Sequence, residues 1–297
     1  MKLGTEVGMR GYEGHEINRG ISHVREMVAI AVFDIDGVVR DVGNSYRRAL
    51  ADTVEHFTQG AYRPSQLDID ALKAEGIWNN DWEASQELTY RYYESQGRPR
   101  ATATTEPEVG ISLDYEEMVR FFQSRYRGTD PINWNGYICQ EPLLLEADYL
   151  ASLSAAGIGW GFFSGATRGS ATYVLEKRLG LQSPVLIAME DAPGKPDPTG
   201  LLQTVQLVEN GLAVPPPVLY VGDTVADIYT VDQARQRQPN RTWVGVGVLP
   251  PHTQDASDRR LSYTETLKAA GAQVVLGNVQ ELTPDLIRAL LEQTLRL

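Results

Sequence analysis

An apolar run that ends in two aspartates and a glycine constrains the fold of this chain more than any other stretch. Residues Val28–Phe33 are all apolar, and Asp34, Ile35, Asp36 and Gly37 follow at once. Such a run is typical of a parallel strand that is buried on both faces. If the two aspartates continue the alternation of the strand, both carboxylates leave its tip on one side, where they could bind a cation or share acid–base chemistry. The alternative is an ordinary Asp/Gly turn after a strand.

The rest of the chain divides into a helical block and an alternating block. Between residues 42 and 142 the spacing of apolar side chains predicts helices only. From about residue 141 onward strands and helices alternate, with strands predicted at Ile158–Phe163, Val185–Met189, Val218–Val221, Thr242–Val246 and Gln273–Leu276. Alternation of this kind predicts an α/β fold with a doubly wound parallel sheet. The segment Leu249–Ser262 is interpreted as a long polar loop.

Composition limits the kinds of partner. Acidic residues outnumber basic ones by 39 to 27, which gives a net charge of -12 and disfavours nucleic acid or an anionic membrane surface. A small phosphorylated metabolite remains compatible, because a bound cation reverses the local field. The single cysteine, Cys139, permits no intrachain disulfide, and no apolar run is long enough to span a membrane. We expect a cytoplasmic protein that is a monomer or a homodimer, with no nucleic-acid or membrane partner.

Four of the predicted strands are followed by polar residues. These residues are Asp34 and Asp36 after the first strand, Ser164 and Gly165 after the second, Lys195 beyond the third, and Asp223 and Asp227 after the fourth. Because parallel strands place their carboxyl ends along one edge of a sheet, we expect these residues to lie close together. Taken singly, each could instead be a turn residue, a helix cap or a solvated charge.

Together these motifs resemble the haloacid dehalogenase superfamily, and within it the phosphatase-like members that carry a helical cap after the first motif. The resemblance extends from Val28 to about Leu282 and rests on all four motifs in their usual order. It implies a Rossmann-like core domain made of residues 27–41 and 143–297. Residues 42–142 would form an inserted α-helical cap domain, and residues 1–26 a flexible N-terminal extension.

The resemblance also implies a role for each motif residue. Asp34 would attack phosphorus to form an aspartyl phosphate, and Asp36 would act as general acid and then general base. Ser164 and Lys195 would hold the phosphoryl group together with the backbone at Gly37 and Gly165. Mg²⁺ would be bound by Asp34, the backbone carbonyl of Asp36 and Asp223, with Asp227 behind them or bound through water. A hard cation fits this chemistry, because a carboxylate and a phosphate dianion repel each other.

The cap decides the substrate, and its turn at residues 76–81 is polar and aromatic. We expect Trp78, Asn79 and Asn80 to contact the leaving group, although Trp78 could belong to the core of the cap and Asn80 could cap the next helix. The sequence thus predicts a magnesium-dependent phosphatase for a small phosphorylated metabolite. The alternatives are a sugar phosphomutase of the β-phosphoglucomutase type and a binding module without turnover. Dehalogenation is disfavoured because dehalogenases of this superfamily lack the second aspartate.

Overall fold

The computed structural model describes residues 27–73, 75, 77–78, 80–101 and 110–294. The predicted N-terminal extension and Asn79 therefore lie outside the described residues. Within the described part, six parallel strands form one sheet in the order β3-β2-β1-β4-β5-β6. The strands are β1 (Ala29–Phe33), β2 (Ile158–Phe163), β3 (Leu186–Ile187), β4 (Val218–Gly222), β5 (Trp243–Val248) and β6 (Val274–Leu276). This arrangement confirms the α/β class with a parallel sheet.

Helices cover both faces of the sheet and fill the insertion between β1 and β2. The inserted helices are α1 (Tyr46–Phe57), α2 (Gln66–Lys73), α3 (Asp81–Ser95) and α4 (Tyr115–Tyr126). The remaining helices are α5 (Ala147–Ala155), α6 (Arg168–Thr172), α7 (Thr199–Glu209), α8 (Val225–Arg237), α9 (Ser257–Ala269) and α10 (Pro284–Thr294). The inserted helices occupy the stretch for which the sequence predicts a cap, and β1 joins them directly to the middle of the sheet.

The central strand β1 shows why its sequence is apolar throughout. Ala29, Ala31 and Phe33 face one apolar cluster, and Ile30 and Val32 face a second cluster on the other side of the sheet. All five side chains are fully buried. A strand between two helical layers has no solvent-exposed face, so its sequence lacks the usual alternation of apolar and polar residues.

Two elements differ from the sequence prediction. The predicted strand Val185–Met189 is reduced to the two residues of β3, which lies at the edge of the sheet and pairs only with β2. The predicted loop Leu249–Ser262 already contains the start of α9 at Ser257. Only Leu267 is buried in α9, so this helix has too few apolar residues to produce a recognisable spacing.

Among the described residues, none of the helices combines the length and the hydropathy that a transmembrane span requires.

Candidate active site

The register of the sheet brings three of the polar strand ends to the same level. Phe33 of β1 lies opposite Phe162 of β2 and Val221 of β4. Asp34 continues directly from Phe33, and its backbone N–H donates to the carbonyl of Val221 at 2.8 Å. The residues that follow the three strands therefore emerge side by side at the carboxyl edge of the sheet, where open α/β sheets bind their ligands.

Lys195 links the first and the last motif. Its Nζ atom lies 2.8 Å from Oδ2 of Asp34 and 2.6 Å from Oδ1 of Asp227. The ammonium group also lies over two aromatic rings, 5.3 Å from the ring centre of Phe163 and 5.5 Å from that of Tyr220. The Lys195 side chain is only 11% exposed. A buried cation requires such partners, and two carboxylates raise the pKa of Lys195 although burial alone would lower it.

Both carboxylate oxygens of Asp227 are already occupied by protein groups. Oδ1 accepts from the Tyr220 hydroxyl at 3.0 Å as well as contacting Lys195, and Oδ2 accepts from the backbone N–H and the hydroxyl of Thr224. The contacts with Thr224 form a capping box at the start of α8. Burial alone would raise the pKa of Asp227, but Lys195 and Thr224 hold it below its usual value. Asp227 is therefore a charged anchor for Lys195.

Asp34 is a buried carboxyl group, with only 6% of the residue exposed. Its Oδ1 accepts a hydrogen bond from the N–H of Ile35 at 2.7 Å. Burial raises the pKa of Asp34 to about 7; Lys195 opposes this shift, and the carboxylates of Asp227 and Asp36 add to it. A charge that compensates these carboxylates would favour the ionised, nucleophilic form of Asp34.

Three carboxylates at this edge could hold a divalent cation. Asp34, Asp223 and Asp227 each offer an oxygen atom, and these atoms lie within 4.8 Å of one another. Burial and the charges of Asp227 and Asp34 raise the pKa of Asp223 well above its usual value. An all-oxygen donor set suits Mg²⁺ better than zinc. Each oxygen of Asp227 already contacts two protein groups, whereas each oxygen of Asp34 contacts one, so Asp34 and Asp223 are the carboxylates that best fit direct contact with such an ion.

Gly37 packs against Asp223 so closely that no other residue fits. A Cβ atom at Gly37 would lie 2.2 Å from Oδ2 of Asp223, and the φ angle of Gly37 is +76°. Both the backbone conformation and the space therefore require glycine here. This contact gives the glycine of the first motif a role in placing a carboxylate of the fourth.

Replacing Gly37 by alanine is expected to impair cation binding as well as stability. Gly60→Ala is a matched control, since Gly60 has a similar φ of +80° but a Cβ atom there would meet nothing within 4 Å. We expect Gly60→Ala to lose about 1–2 kcal/mol of unfolding free energy from the left-handed conformation and Gly37→Ala to lose more, because its Cβ must also displace Asp223. Only Gly37→Ala should weaken Mg²⁺ binding, by about 10-fold or more. Urea unfolding and titration calorimetry measure the two effects. Equal cation affinities in the two variants would contradict the packing argument.

Ser164 and Gly165 follow β2 as the sequence predicts. Ser164 is almost fully buried, and its hydroxyl accepts a hydrogen bond from the N–H of Ala166 at 3.1 Å. Gly165 is exposed and has open space around it. Their assignment to phosphoryl binding stays a prediction, and the exposed backbone at Gly165 leaves room for a ligand.

The residues predicted to contact the leaving group have protein partners in this structure. The indole N–H of Trp78 donates to Glu75 at 2.9 Å, and the side-chain oxygen of Asn80 accepts from the N–H of Trp82 at 2.9 Å. Asn80 thereby caps α3. Asn79 lies outside the described residues. Substrate contact by these three residues stays a prediction.

Three residues near the motifs were missed by the sequence reasoning. Arg40 contacts the carboxylate of Asp36, Tyr220 contacts Asp227, and Tyr263 donates from α9 to the backbone carbonyl of Asp223 at 2.9 Å. Arg40 had a weak signal, because it is the only charged residue between Asp36 and Asp41. The two tyrosines had none, since Tyr220 lies inside the apolar run of β4 and Tyr263 is 40 residues from Asp223.

A match to a protein-family model identifies the family to which these motifs belong. The model of the haloacid dehalogenase-like hydrolases matches residues 28–234, which include all four motifs. The chain belongs to the haloacid dehalogenase-like hydrolases. The motif residues by themselves indicate this family, and the match confirms it.

Several proteins of known structure share the fold at low sequence identity. A phosphonoacetaldehyde hydrolase-like protein from Oleispira antarctica has a TM-score of 0.61 at 19% identity, covering 91% of this chain and 95% of its own. Phosphatase Tt82 from Thermococcus thioreducens has a TM-score of 0.57 at 21% identity, covering 78% and 98%. A putative β-phosphoglucomutase from Thermotoga maritima has a TM-score of 0.54 at 16% identity, covering 90% and 99%. These similarities show a common fold.

A curated relative is more similar in sequence. The imidazoleglycerol-phosphate dehydratase of Phytophthora nicotianae is 30% identical over 267 residues, which cover 86% of this chain and 53% of the relative. This haloacid dehalogenase-like chain thus spans about half the length of that protein.

Proposed function

We propose that this chain is a magnesium-dependent phosphatase that hydrolyses a small phosphomonoester through an aspartyl phosphate on Asp34. The observation that carries the proposal is the buried Lys195 ammonium, held between Asp34 and Asp227 at the strand edge where Asp223 also lies. A lysine so placed can neutralise phosphoryl oxygens at the nucleophile. A binding module without turnover would have no need for a buried nucleophile and its charge partner.

The chain's own residues suit two successive displacements. Asp34 attacks phosphorus and releases the alcohol, and Asp36 donates a proton to the departing oxygen. Asp36 then takes a proton from the water that hydrolyses the acyl phosphate, so that Asp34 is regenerated and phosphate leaves. Lys195 holds the phosphoryl oxygens throughout, and Ser164 with the backbone at Gly165 is assigned to orient them. Mg²⁺ bound by Asp34, Asp223 and the carbonyl of Asp36 would offset the negative charge that nucleophile and phosphate share.

The substrate is proposed to be small, and the curated relative suggests which compounds to try first. The name of that relative refers to imidazoleglycerol phosphate, which is itself a phosphomonoester. Its dehydratase activity is not transferred, because this chain covers only 53% of that protein and itself carries all four motifs assigned to phosphoryl transfer. A panel should therefore combine imidazole-bearing phosphomonoesters with sugar phosphates and phosphoglycolate.

The test is phosphate release from this panel, with and without Mg²⁺. The proposal expects Mg²⁺-dependent release of inorganic phosphate from at least one metabolite and from 4-nitrophenyl phosphate. Isomerised sugar phosphate without free phosphate would favour the phosphomutase instead, and a product that has lost water would favour a dehydratase. Binding of phosphomonoesters without any turnover would favour the binding module.

Stabilisation by Mg²⁺ is expected to depend on pH. Because burial raises the pKa of Asp34 to about 7, this carboxyl retains its proton below pH 7 in the cation-free protein, and burial also makes Asp223 harder to ionise by raising its pKa well above the usual value. Mg²⁺ must displace protons from these carboxyls, so the stabilisation that Mg²⁺ gives grows as the pH rises.

At a Mg²⁺ concentration about 100-fold above Kd at pH 8 we expect a rise in Tm of about 5 °C, and a much smaller rise at pH 5.5. Differential scanning calorimetry measures both values. The Asp223→Asn variant should show neither shift, and equal shifts of the parent at both pH values would contradict this account.

A further inference from the structure

Arg40 is a fully buried arginine immediately after the first motif. Its exposed fraction is zero, and it lies between the tip of β1 and the start of the inserted helices. The backbone fixes its distance from the motif, since the N–H of Gly37 donates to the carbonyl of Arg40 at 2.9 Å. A guanidinium group does not lose its charge at this depth, so the surrounding residues must compensate it.

Every nitrogen atom of the guanidinium group contacts a named oxygen atom. Nε lies 2.7 Å and Nη2 2.6 Å from Oδ1 of Asp36. Nη1 donates to the hydroxyl of Tyr126 at 2.8 Å and to Oε2 of Glu141 at 2.9 Å, and Nη2 also reaches the hydroxyl of Tyr46 at 3.4 Å. A planar group bound on every side can hold a neighbouring carboxylate in one orientation.

The partners of Arg40 come from segments that are far apart in the chain. Tyr46 belongs to α1, Tyr126 ends α4, and Glu141 lies on the segment that returns from the insertion to the sheet. The rings of Tyr46 and Tyr126 stack with their centres 4.1 Å apart, and the second carboxylate oxygen of Glu141 accepts from the hydroxyl of Ser45. The guanidinium is therefore locked in place by the inserted helices.

Both contacts with Asp36 fall on the same carboxylate oxygen. Oδ1 is bound by Arg40, whereas the Asp36 side chain remains 30% exposed. We propose that Arg40 is a positioning residue that holds Asp36 by Oδ1, so that Oδ2 is the oxygen that exchanges the proton with the leaving group. This inference rests on the proposed function, in which Asp36 is the general acid. It adds that this acid is oriented by two inserted helices, through Tyr46 and Tyr126, and by the segment that returns to the sheet, through Glu141.

The dependence on the leaving group distinguishes positioning from a purely structural role. A general acid matters for a poor leaving group, such as the alkoxide of glycerol phosphate, and hardly for nitrophenolate, which needs no proton to depart. Arg40→Lys keeps the charge but loses the fork that binds Oδ1. We expect this variant to lose about 100-fold in kcat/KM, which reports the steps up to release of the alcohol, with the alkyl ester and less than about threefold with 4-nitrophenyl phosphate. Asp36→Asn should show the same selectivity and serves as the reference.

Two further variants keep the test decisive. Tyr126→Phe removes one hydrogen bond to Arg40 and leaves Asp36 unchanged. We expect the same selectivity between the two esters with a smaller loss of activity, and this variant replaces Arg40→Lys in the test if that protein does not fold. Arg125→Lys is the matched control, because Arg125 also lies on α4 and pairs with Asp52 at 3.0 Å; it should affect both esters equally. If Asp36→Asn discriminates between the two esters but neither Arg40→Lys nor Tyr126→Phe does, the positioning role of Arg40 is refuted and the proposed function is unaffected. Absence of selectivity in Asp36→Asn would refute the proposed role of Asp36, and the inference would fall with it.

Discussion

Replacing Asp34 by asparagine is expected to lower kcat for Mg²⁺-dependent phosphate release by at least about 10⁴-fold. Asparagine has the same size and can still accept the hydrogen bond from the N–H of Ile35, so the fold at the tip of β1 is retained. The variant loses the oxygen nucleophile and one of the two charge partners of Lys195. Asp227 remains as the other partner. Phosphate release from 4-nitrophenyl phosphate and from the best metabolite of the panel measures the effect.

The Asp34→Asn variant should fold stably, and its stability relative to the parent should increase with pH. The pKa of Asp34 is raised from 3.8 to about 7 in the folded protein, so folding favours the protonated form and the parent loses stability as the pH rises through this range. Asparagine has no such dependence. We therefore expect urea unfolding without Mg²⁺ to show that the unfolding free energy of Asp34→Asn, relative to that of the parent, is higher at pH 8 than at pH 5.

A surface aspartate provides the control for this experiment. Asp232 on α8 is 53% exposed and pairs with Arg235, so Asp232→Asn should leave kcat unchanged. Activity of Asp34→Asn equal to that of the parent would refute the aspartyl phosphate. Loss of activity accompanied by unfolding would contradict the structural account of this site.

Lys195→Met is expected to impair both activity and stability. Two buried carboxylates, those of Asp34 and Asp227, lose the cation that both contact. Removing one partner from a buried ion pair typically costs about 3–5 kcal/mol, because the remaining charge stays desolvated. Loss of a charge at the phosphoryl group should lower kcat by about 10²–10³-fold. Chemical denaturation and steady-state kinetics measure the two effects separately.

A double variant separates the structural role of Lys195 from its role in the reaction. Lys195→Met combined with Asp227→Asn removes the orphaned charge of Asp227, and we expect it to recover part of the lost unfolding free energy but none of the lost kcat. Lys268→Met, at an exposed position on α9, is the control for replacing a lysine. Recovery of activity in the double variant would show that Lys195 acts only by balancing Asp227.

The helical insertion illustrates the limits of sequence reasoning at this site. The spacing of apolar residues predicts that residues 42–142 form helices only, and no strand lies among the described residues of that stretch. For the polar turn before α3 the sequence leaves two interpretations of Asn80, substrate contact and a helix cap; its oxygen caps α3, and substrate contact stays a prediction. A short polar side chain can serve a helix end or a ligand, and the residue type alone does not distinguish the two.

Much of the candidate site follows from the sequence by itself. The apolar run before Asp34 specifies a strand buried on both faces, and the alternation of strands and helices specifies a parallel sheet. A parallel sheet brings the ends of its strands to one edge, so the neighbourhood of Asp34 and Asp223 follows from local patterns and one topological rule. Local periodicity suffices here because it records which face of each element is buried.

Only the tertiary structure decided how those residues are held. Arg40 is buried because Tyr126 and Glu141, 86 and 101 residues further along the chain, close over it. Asp227 is buried as a charge because Lys195, 32 residues earlier in the chain, lies against its Oδ1. Whether a charged residue is solvated or buried depends on partners that folding brings in from distant segments, and a single sequence carries no record of those distances.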